Sequence, residues 1–555
     1  MALLIIEPFY GGSHAQLVDW LIDLHCVRVK RDYTGATPAP PVLLLSLPAK
    51  KWHWRLRASS IWAADAVPWD LTLFAGGTLL CSSMLNLAEL LALRPDIRGF
   101  ARMRTVVYFH ENQLAYPMRA ARGERAHDTF HFGWAQIMST LAADICAFNS
   151  TWNMQSFISA IDAHCRMVPD SRQRVAGVAD RIAQKAVVAH FPVTRAPATL
   201  DVALFLPSHL STSALRIVWP HRWEYDKAPS VFFAALAWLH AKKVPFVVAV
   251  LGESFNEVPP DFSAAHDLLA PAGHVAHWGY VASKREYFAW LSWSDVVVST
   301  ADHEFFGVST VEAVLAGAYP LLPARLSYPE LVAPAESELA ATAPSAVMSR
   351  MHSILTATAA PWGSRTAPDA SSTEAAATPT PSAAAGESAP HQVRTGQYEQ
   401  DGTLGRNSCH LYKSERDLRQ RLYALARAPA VVREWSASVR KHTRELEDVT
   451  VSPQCAQCCA AAPPEDANAA GRSPNAGMCS MTGSGGERAV NDTEVESHGR
   501  NVDIDEIGQL RPSGTASSVP VTSALKLGCC CELVRTVSRF HASKLAPIYE
   551  VLLYK

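Results

Sequence analysis

"STADHEFFGVSTVEAVLAGAYPLLP" (residues 299–323) runs from the end of one apolar strand, through a turn and a helix, into the next strand. The residues leading into it, "DVVVST" (295–300), form a continuous β-branched run, the pattern of a strand covered on both faces in a parallel sheet. Gly307 permits a close turn, and Val308 to Ala316 then read as a helix whose first amides have no intrahelical partner. In open α/β sheets ligands collect beyond the carboxyl ends of the strands, so Ala301 to Glu304 should face a cleft. Glu304 and Glu312, eight positions apart, would meet different parts of one long ligand and accept hydrogen bonds from its hydroxyls. The free amides suit a phosphate or a sugar. Either glutamate alone would pass for a solvated surface residue. With Phe305, Phe306 and Gly307 between them at a strand end, the two mark a candidate site.

Outward from this stretch the chain repeats one pattern, a short apolar strand followed by a helical run. In the first half the strands are expected at 3–9, 42–47, 71–76, 105–110, 143–150 and 186–193, with helices starting near His14, Ser83, Phe130 and Thr151. The pattern restarts with strands at 215–220, 245–252, 274–279, 295–300 and 319–323 and helices near 228–242, 283–293 and 307–316. The fold class is therefore α/β, two doubly wound Rossmann-like domains facing across a cleft. Residues 1–205 form the first domain and 206–334 the second. An Ala, Pro, Ser and Thr-rich tract makes 335–409 a low-complexity insertion expected to stay unstructured. Helical character returns at 410–447 with a break at Pro429, completing the second domain, and 448–555 reads as a mostly unstructured tail whose last segment has enough Leu, Val, Phe and Tyr to dock.

The 555 residues are 48% hydrophobic and 18% charged, which excludes fibrous and globally disordered classes. A formal net charge of -2 means that any nucleic-acid contact must come from a local patch. Arg94, Arg98, Arg102, Arg104, Arg119, Arg122 and Arg125 crowd one region, where the plain reading is solvated surface. "MALLIIEPFYGG" reads as a first strand rather than a leader, and no apolar run is long enough to span a membrane, so a soluble cytoplasmic protein, with nuclear residence also open, is expected. Cys26, Cys81, Cys146 and Cys165 sit in apolar settings, and the clusters at 455–459 and 529–531 lack the paired spacing of a zinc site.

Three further groups stand at strand ends. Arg222 and Lys227 in "HRWEYDKAP" can neutralise a diphosphate and the charge that develops as it leaves, or simply flank a helix start. Gly11 and Gly12 in "EPFYGGSHAQL" permit close approach of backbone to a ligand, although the loop is neither a dinucleotide fingerprint nor a Walker loop; His14 and Gln16 line it or cap the helix. His110, Glu111, Asn112 and Gln113 follow an apolar strand directly, a polar cluster suited to a hydroxyl-binding cleft or to a satisfied structural network.

Together these residues resemble the retaining GT-B glycosyltransferases of family four, with Glu304 to Glu312 in the place of their E-x7-E motif and Arg222 and Lys227 in the place of their Arg-x4-Lys. Closer still, "IIEPFYGGSHAQLVDWL", "YFHENQLAYP", "WPHRWEYDKAP" and "EFFGVSTVEAVLAGAYPLLPARLSYPEL" resemble the tRNA-queuosine alpha-mannosyltransferases, over residues 3–331 and again near 410–440. The resemblance implies transfer of mannose from GDP-mannose to queuosine at the wobble position of tRNA-Asp, with retained configuration, no cofactor and no metal. It implies that Glu304 contacts the donor hexose, Glu312 the ribose, Arg222 and Lys227 the diphosphate, and His110 the sugar near the reacting carbon. Gly11, Gly12, Phe305, Phe306, Gly307 and Val308 would complete the nucleotide-sugar site. No second flanking carboxylate is required, since the departing phosphate of such transferases is thought to deprotonate the acceptor. The acceptor would lie on the first-domain side, among His14, Glu111, Asn112, Gln113 and Tyr116, with Arg119, Arg122 and Arg125, and Lys50, Lys51, Arg55 and Arg57, as a positive collar for the tRNA. The insertion after Glu330 and the long tail depart from the family pattern. A transferase of the same fold using UDP-galactose, UDP-glucose or another acceptor remains open, as does an inactive scaffold. A nucleotide-sugar epimerase would need a Tyr-x3-Lys pair that "REYFAW" does not supply.

Overall fold

The computed structural model describes residues 1–32, 39–115, 126–168, 177–197, 200–206, 213–254, 257–334, 336–358, 408–445 and 530–554. In the first half, β1 (Leu3–Tyr10), β2 (Val42–Pro48), β3 (Thr78–Ser82), β4 (Arg104–Phe109), β5 (Ile145–Phe148) and β6 (Ala186–Val188) form one sheet in the order β2-β1-β3-β4-β5-β6. Every pairing in it is parallel. Helices α1 (Gly12–Asp32), α2 (Trp52–Ala66), α3 (Leu87–Leu93), α4 (Asp96–Gly99), α5 (Ala126–Ala142), α6 (Thr151–Cys165) and α7 (Val178–Ala183) connect the strands. Leu4, Ile6, Leu79, Val107 and Phe148, from four neighbouring strands, are fully buried in a single core with helix residues such as Ala63 and Ile161.

A second sheet repeats the arrangement. β7 (Leu215–Pro220), β8 (Phe246–Leu251), β9 (Val275–Gly279), β10 (Val296–Val298), β11 (Tyr319–Pro323) and β12 (Leu411–Tyr412) lie in the order β12-β11-β10-β7-β8-β9, all parallel. Its helices are α8 (Pro229–Ala241), α9 (Asp261–Leu269), α10 (Lys284–Trp293), α11 (Val308–Leu315) and α12 (Tyr328–Val332). The two sheets, covered by helices, are the GT-B arrangement of two doubly wound halves, and both belong to one compact unit with the last residues of the chain. No described helix is long and apolar enough to cross a membrane.

Residues 71–76 are not a strand. Asp70 accepts hydrogen bonds from the amide and hydroxyl of Thr72, which starts a 3-10 turn at Thr72–Phe74. The strand begins at Thr78 instead, after Gly77, where a Cβ would stand 2.5 Å from the Ala2 carbonyl oxygen. Nor is 335–409 unstructured from its start. α13 (Glu336–Ala341) and α14 (Pro344–Thr358) are helices, and α14 buries Val347, Met351 and Ile354 while Arg350 donates to the carbonyls of Ala183 and Ala186. The rest of that tract, 359–407, and most of the tail, 446–529, lie outside the described residues.

Beyond the tract, β12 extends the second sheet, and α15 (Glu415–Arg427) and α16 (Pro429–Glu445) pack behind it, separated at Ala428 before Pro429 as the proline requires. The chain then returns to the first half. α17 (Cys530–Ser538) lies against α11 and α12, and α18 (Ala542–Tyr554) lies against α14 and β3. Between them Phe540 and Ala542 exchange backbone hydrogen bonds with Val193, and the Tyr549 hydroxyl lies within hydrogen-bond distance of the Tyr108 hydroxyl and of the carbonyls of Ala189 and His190. Thr78 donates to Leu553, and the Tyr554 hydroxyl meets His25 at 2.8 Å.

Candidate active site

The carboxyl edge of the second sheet is a set of buried ions. Lys227 ends a one-turn 3-10 segment (Tyr225–Lys227) that Ala228, held at φ 45°, turns into α8. Its ammonium donates to the His303 carbonyl at 2.8 Å and lies 3.3 Å from Glu304 Oε2 and 3.4 Å from Asp226 Oδ2. Burial works against that charge, but Glu304 and Asp226 outweigh it and hold the lysine protonated. Burial likewise works against ionised Glu304, and Lys227 with His221 outweighs it, leaving its acidity below the usual carboxylate value. The amides of Asp302 and His303 donate to the Asp226 carbonyl, which fixes the two loops against each other. Arg222 is different: its side chain is half exposed, with one guanidinium nitrogen 3.1 Å from Glu224.

Between them, His221 is buried and its Nε2 has no hydrogen-bond partner. Desolvation and the neighbouring Lys227 push its pKa down to about 4, so the ring is neutral. Gly252, at φ 120°, lies so close that a Cβ there would run into the His221 carbonyl oxygen. The positive φ and that approach both require glycine.

Gly307, at φ 94°, starts α11, and Glu312 on that helix is buried. Desolvation raises its pKa, while Lys284, Tyr287 and Gln16 pull it back. Lys284 Nζ stands 2.6 Å from Glu312 Oε1, and its ammonium also sits 4.7 Å from the Tyr287 ring centre. Gln16, from the first half, has its Nε2 buried without a well-formed hydrogen bond, so Glu312 marks a point where the two halves meet. The Thr310 hydroxyl, also buried, has no partner.

The edge of the first sheet is built from rings. Gly11 passes so close to Ala49 that a Cβ would meet that residue's Cβ at 2.5 Å, and Gly12, at φ 53°, opens α1. This delivers His14 onto β1 and β4. Its Nδ1 is 3.1 Å from Glu7 Oε2, its Nε2 is 3.7 Å from Glu111 Oε2, and its ring stacks on His110 with centroids 3.8 Å apart. Burial opposes protonation of His14, but Glu7 and Glu111 outweigh it and raise its pKa to about 10. Desolvation and the charge on His14 drive the His110 pKa far down. The pair is thus one imidazolium stacked on one neutral imidazole. Glu7 itself is held by the Phe9 amide and the Ser82 hydroxyl.

Glu7, His14 and His110 each offer a ligand atom within 4.8 Å of the others. Two imidazoles stacked face to face send their lone pairs along roughly parallel planes, however, whereas a cation needs them to converge. The arrangement suits a charge-holding pair better than an ion.

The structure therefore brings Gly11, Gly12, His14, His110 and Glu111 to one edge and Arg222, Lys227, Glu304, Gly307, Val308 and Glu312 to the other. Asn112 is turned inward: fully buried, it donates to Asn153 and Ser156 and accepts from the Ala115 amide. Gln113 docks on α5 through its own amide, which donates to Gln136. Phe305 and Phe306 are buried as well. Phe306 packs 5.2 Å from Phe540 and 6.0 Å from Phe191, and the Phe305 carbonyl accepts from Ser150 at 2.5 Å. The spacer between the two glutamates is thus an anchor between the halves. Tyr116, Arg119, Arg122 and Arg125 lie outside the described residues.

Four site residues escaped the sequence reading. Glu7 and Lys284 are single charges whose partners are distant in the chain; an isolated Glu inside "LLIIEPF" was the available signal for the first, and the second had none. His221 had only its strand-end position. Glu330, in "LSYPELV", is buried and accepts from both the amide and hydroxyl of Thr151 and from His190 Nε2 at 2.7 Å, so a carboxylate of the second half caps α6 of the first. Arg539 donates to the Glu330 carbonyl, adding the C-terminal segment to the same junction.

A family model described as "tRNA-queuosine alpha-mannosyltransferase N-terminal" matches residues 2–193. The tRNA-queuosine alpha-mannosyltransferase of Drosophila melanogaster is 40% identical over 332 residues, which cover 59% of this chain and 81% of that protein. Among solved structures, Anabaena HepE in complex with UDP-glucose is similar with 15% identity and a TM-score of 0.37, over 60% of this chain and 83% of that one. Sucrose-phosphate synthase from Thermosynechococcus elongatus is similar with 13% identity and a TM-score of 0.38, over 65% and 91% of the two chains.

Proposed function

Since this chain belongs to the tRNA-queuosine alpha-mannosyltransferase family, we propose that it transfers mannose from GDP-mannose, with retention, to the cyclopentenediol of queuosine at the wobble position of tRNA-Asp. The observation that carries the reading is the buried Lys227, held between Glu304 and Asp226 at the carboxyl edge of the second sheet. A buried ammonium with two carboxylate contacts can exchange one of them for a diphosphate oxygen without itself having to be desolvated again. Lys227 then stabilises the departing GDP, and Glu304, released from part of that pairing, accepts from a mannose hydroxyl. Arg222, half exposed and resting on Glu224, supplies the second cation. Glu312, fixed by Lys284 and Tyr287, accepts from the ribose.

On the first edge, neutral His110 faces the sugar near its reacting carbon, and Glu7 holds His14 protonated behind it. Arg222 and Lys227 carry the diphosphate charge, and we propose no metal for that task. The acceptor hydroxyl gives its proton to the departing phosphate, so the site needs no second carboxylate beside the reacting carbon.

The test is a thermal-shift panel of GDP-mannose, UDP-galactose and UDP-glucose, followed by nucleoside mass spectrometry of tRNA-Asp with and without queuosine. Stabilisation by GDP-mannose and a hexose added only to the queuosine nucleoside are expected. Preferential stabilisation by a UDP-sugar would overturn the donor, and hexose on tRNA lacking queuosine would overturn the acceptor.

A further inference from the structure

The β2–α2 turn carries "AKKWHWRLR" (49–57) at the same sheet edge as the glycine loop, since Ala49 is the residue that Gly11 touches. Lys51 adopts a left-handed conformation, φ 50°, to start α2, and Lys50 and Lys51 are both exposed. Trp52 tucks against Phe132 of α5 at 5.1 Å, whereas Trp54, two residues on and so facing away from it, is 57% exposed. Arg57, one turn further, is exposed too, with its guanidinium carbon 4.7 Å from the Phe132 ring and 5.6 Å from the Trp54 ring, so it lies between the two. Its Nε donates to His131 Nε2 at 2.8 Å. No acidic residue occurs between Ala49 and Asp65.

An exposed tryptophan beside an exposed arginine, in a helix whose first turns and preceding lysines carry no acid in the sequence, has the two properties that a single-stranded polynucleotide selects, a flat face for a base and charge for the flanking phosphates. An acidic partner protein would match the charge but would leave the open indole face without a stacking partner.

We propose that Lys50, Lys51, Trp54 and Arg57 form a platform on which an unpaired base of the acceptor tRNA's anticodon loop stacks while its phosphates meet the cations. This rests on the tRNA reading of the site and adds to it the surface that presents the loop. Trp54 supplies the face, Arg57 extends it, and Lys50 and Lys51 hold the backbone beside the glycine loop. Phosphate contacts orient the RNA without reading its sequence, so recognition of queuosine is left to the cleft.

The experiment uses the full chain, a fluorescein-labelled anticodon stem-loop RNA and anisotropy across a salt series, with GDP-mannose thermal shift recorded on each variant. Trp54→Ala is expected to weaken RNA binding about tenfold, the order found for base–aromatic stacking, and Trp54→Phe to restore most of it. Lys50→Ala with Lys51→Ala should lower the slope of log affinity against log salt by about 1.4, two charges on a single strand. Trp69→Ala is the control: that indole is 77% exposed but lies before the amino end of β3, at the opposite edge. Its RNA affinity should equal that of the parent.

Wild-type protein that binds no stem-loop RNA would sink the acceptor reading itself. Wild-type binding with unaltered affinity in Trp54→Ala, or an equal loss in Trp69→Ala, would overturn the platform alone. Loss of the GDP-mannose shift in Trp54→Ala would overturn it as well, because the platform lies outside the nucleotide half.

Discussion

At the carboxyl edge of β1 and β4, His14 lies between the carboxylates of Glu7 and Glu111 and stacks on a neutral ring, whereas at the edge of β7 and β10 Lys227 faces two carboxylates and Lys284 a third. The first edge offers rings and directional acceptors, suited to a sugar or a nucleoside that brings no charge of its own. The second keeps ions paired in the absence of ligand, suited to a dianionic leaving group that swaps into existing pairs. The difference teaches where each kind of mutation should register: stability and turnover together on the second edge, protonation on the first.

The sharpest break is Lys227→Ala. It leaves Glu304 and Asp226 buried without their cation, so we expect about 3–5 kcal/mol of lost stability in a urea melt. The residual folded enzyme should turn over about 10²–10³-fold more slowly. Arg222→Ala separates the two effects. Because the side chain is half exposed, the urea midpoint should hardly move, yet steady-state transfer should fall by on the order of 10². Transfer within about threefold of the parent would show that Lys227 handles the diphosphate without it.

Glu330→Gln tests the junction that keeps the two edges in register, and about 1–3 kcal/mol of stability should go with it. Burial works against the charge of Glu330, and His190 with the Thr151 amide outweighs it and keeps its pKa below 4.5; desolvation keeps that of His190 below 6.5. Both depressed values add stability that is present at neutral pH and is lost on acidification, His190 first as pH falls below 6.5 and Glu330 below 4.5. The variant should therefore lose the Glu330 part of the acid limb, below pH 4.5, while His190, no longer raised by that carboxylate, extends the fall that begins at 6.5, read from thermal midpoints between pH 3 and 7.

Glu7→Gln is the smallest effect and has the opposite sign. With the His14 pKa raised from 6.5 to about 10, its contribution is complete below 6.5 and declines as pH rises toward 10. Removing the Glu7 charge should make that alkaline decline shallower. An alkaline limb identical to that of the parent would mean that Glu111, not Glu7, holds the proton.

Apolar runs such as "DVVVST" and "TVVYFH" made the strands and their two-fold repetition readable, because a fully covered parallel strand has no polar alternation to confuse it. "LTLFAG" misled for the same reason: it is as apolar as the "TLLCS" that follows, and only the hydrogen bonds of Asp70 and the squeeze at Gly77 choose between them. α14 was hidden by its neighbours. Val347, Met351 and Ile354 have helical spacing, but the Ala, Pro, Ser and Thr tract after them dominates the composition of the window. In the site, Glu304, Glu312, Arg222 and Lys227 were legible as spaced charges at strand ends. That Lys227 and Glu304 contact each other, that Lys284 holds Glu312 and that Asn112 faces inward are tertiary pairings with no local signature.

The return of the chain to its first half sets an order of events during synthesis. Tyr108 waits 441 residues for Tyr549, and Thr78 waits 475 for Leu553. A ribosome adding about 5–20 residues per second leaves that side of the first sheet without its cover for tens of seconds, long after its strands can pair. During that interval an apolar face is open to other nascent chains, and a holdase that shields it would raise the yield of folded enzyme without touching the finished protein. A stop codon just before Cys530 would therefore do its damage at the opposite end of the polypeptide, on β3 and β4, and the product should aggregate although every residue of its catalytic edges has been made.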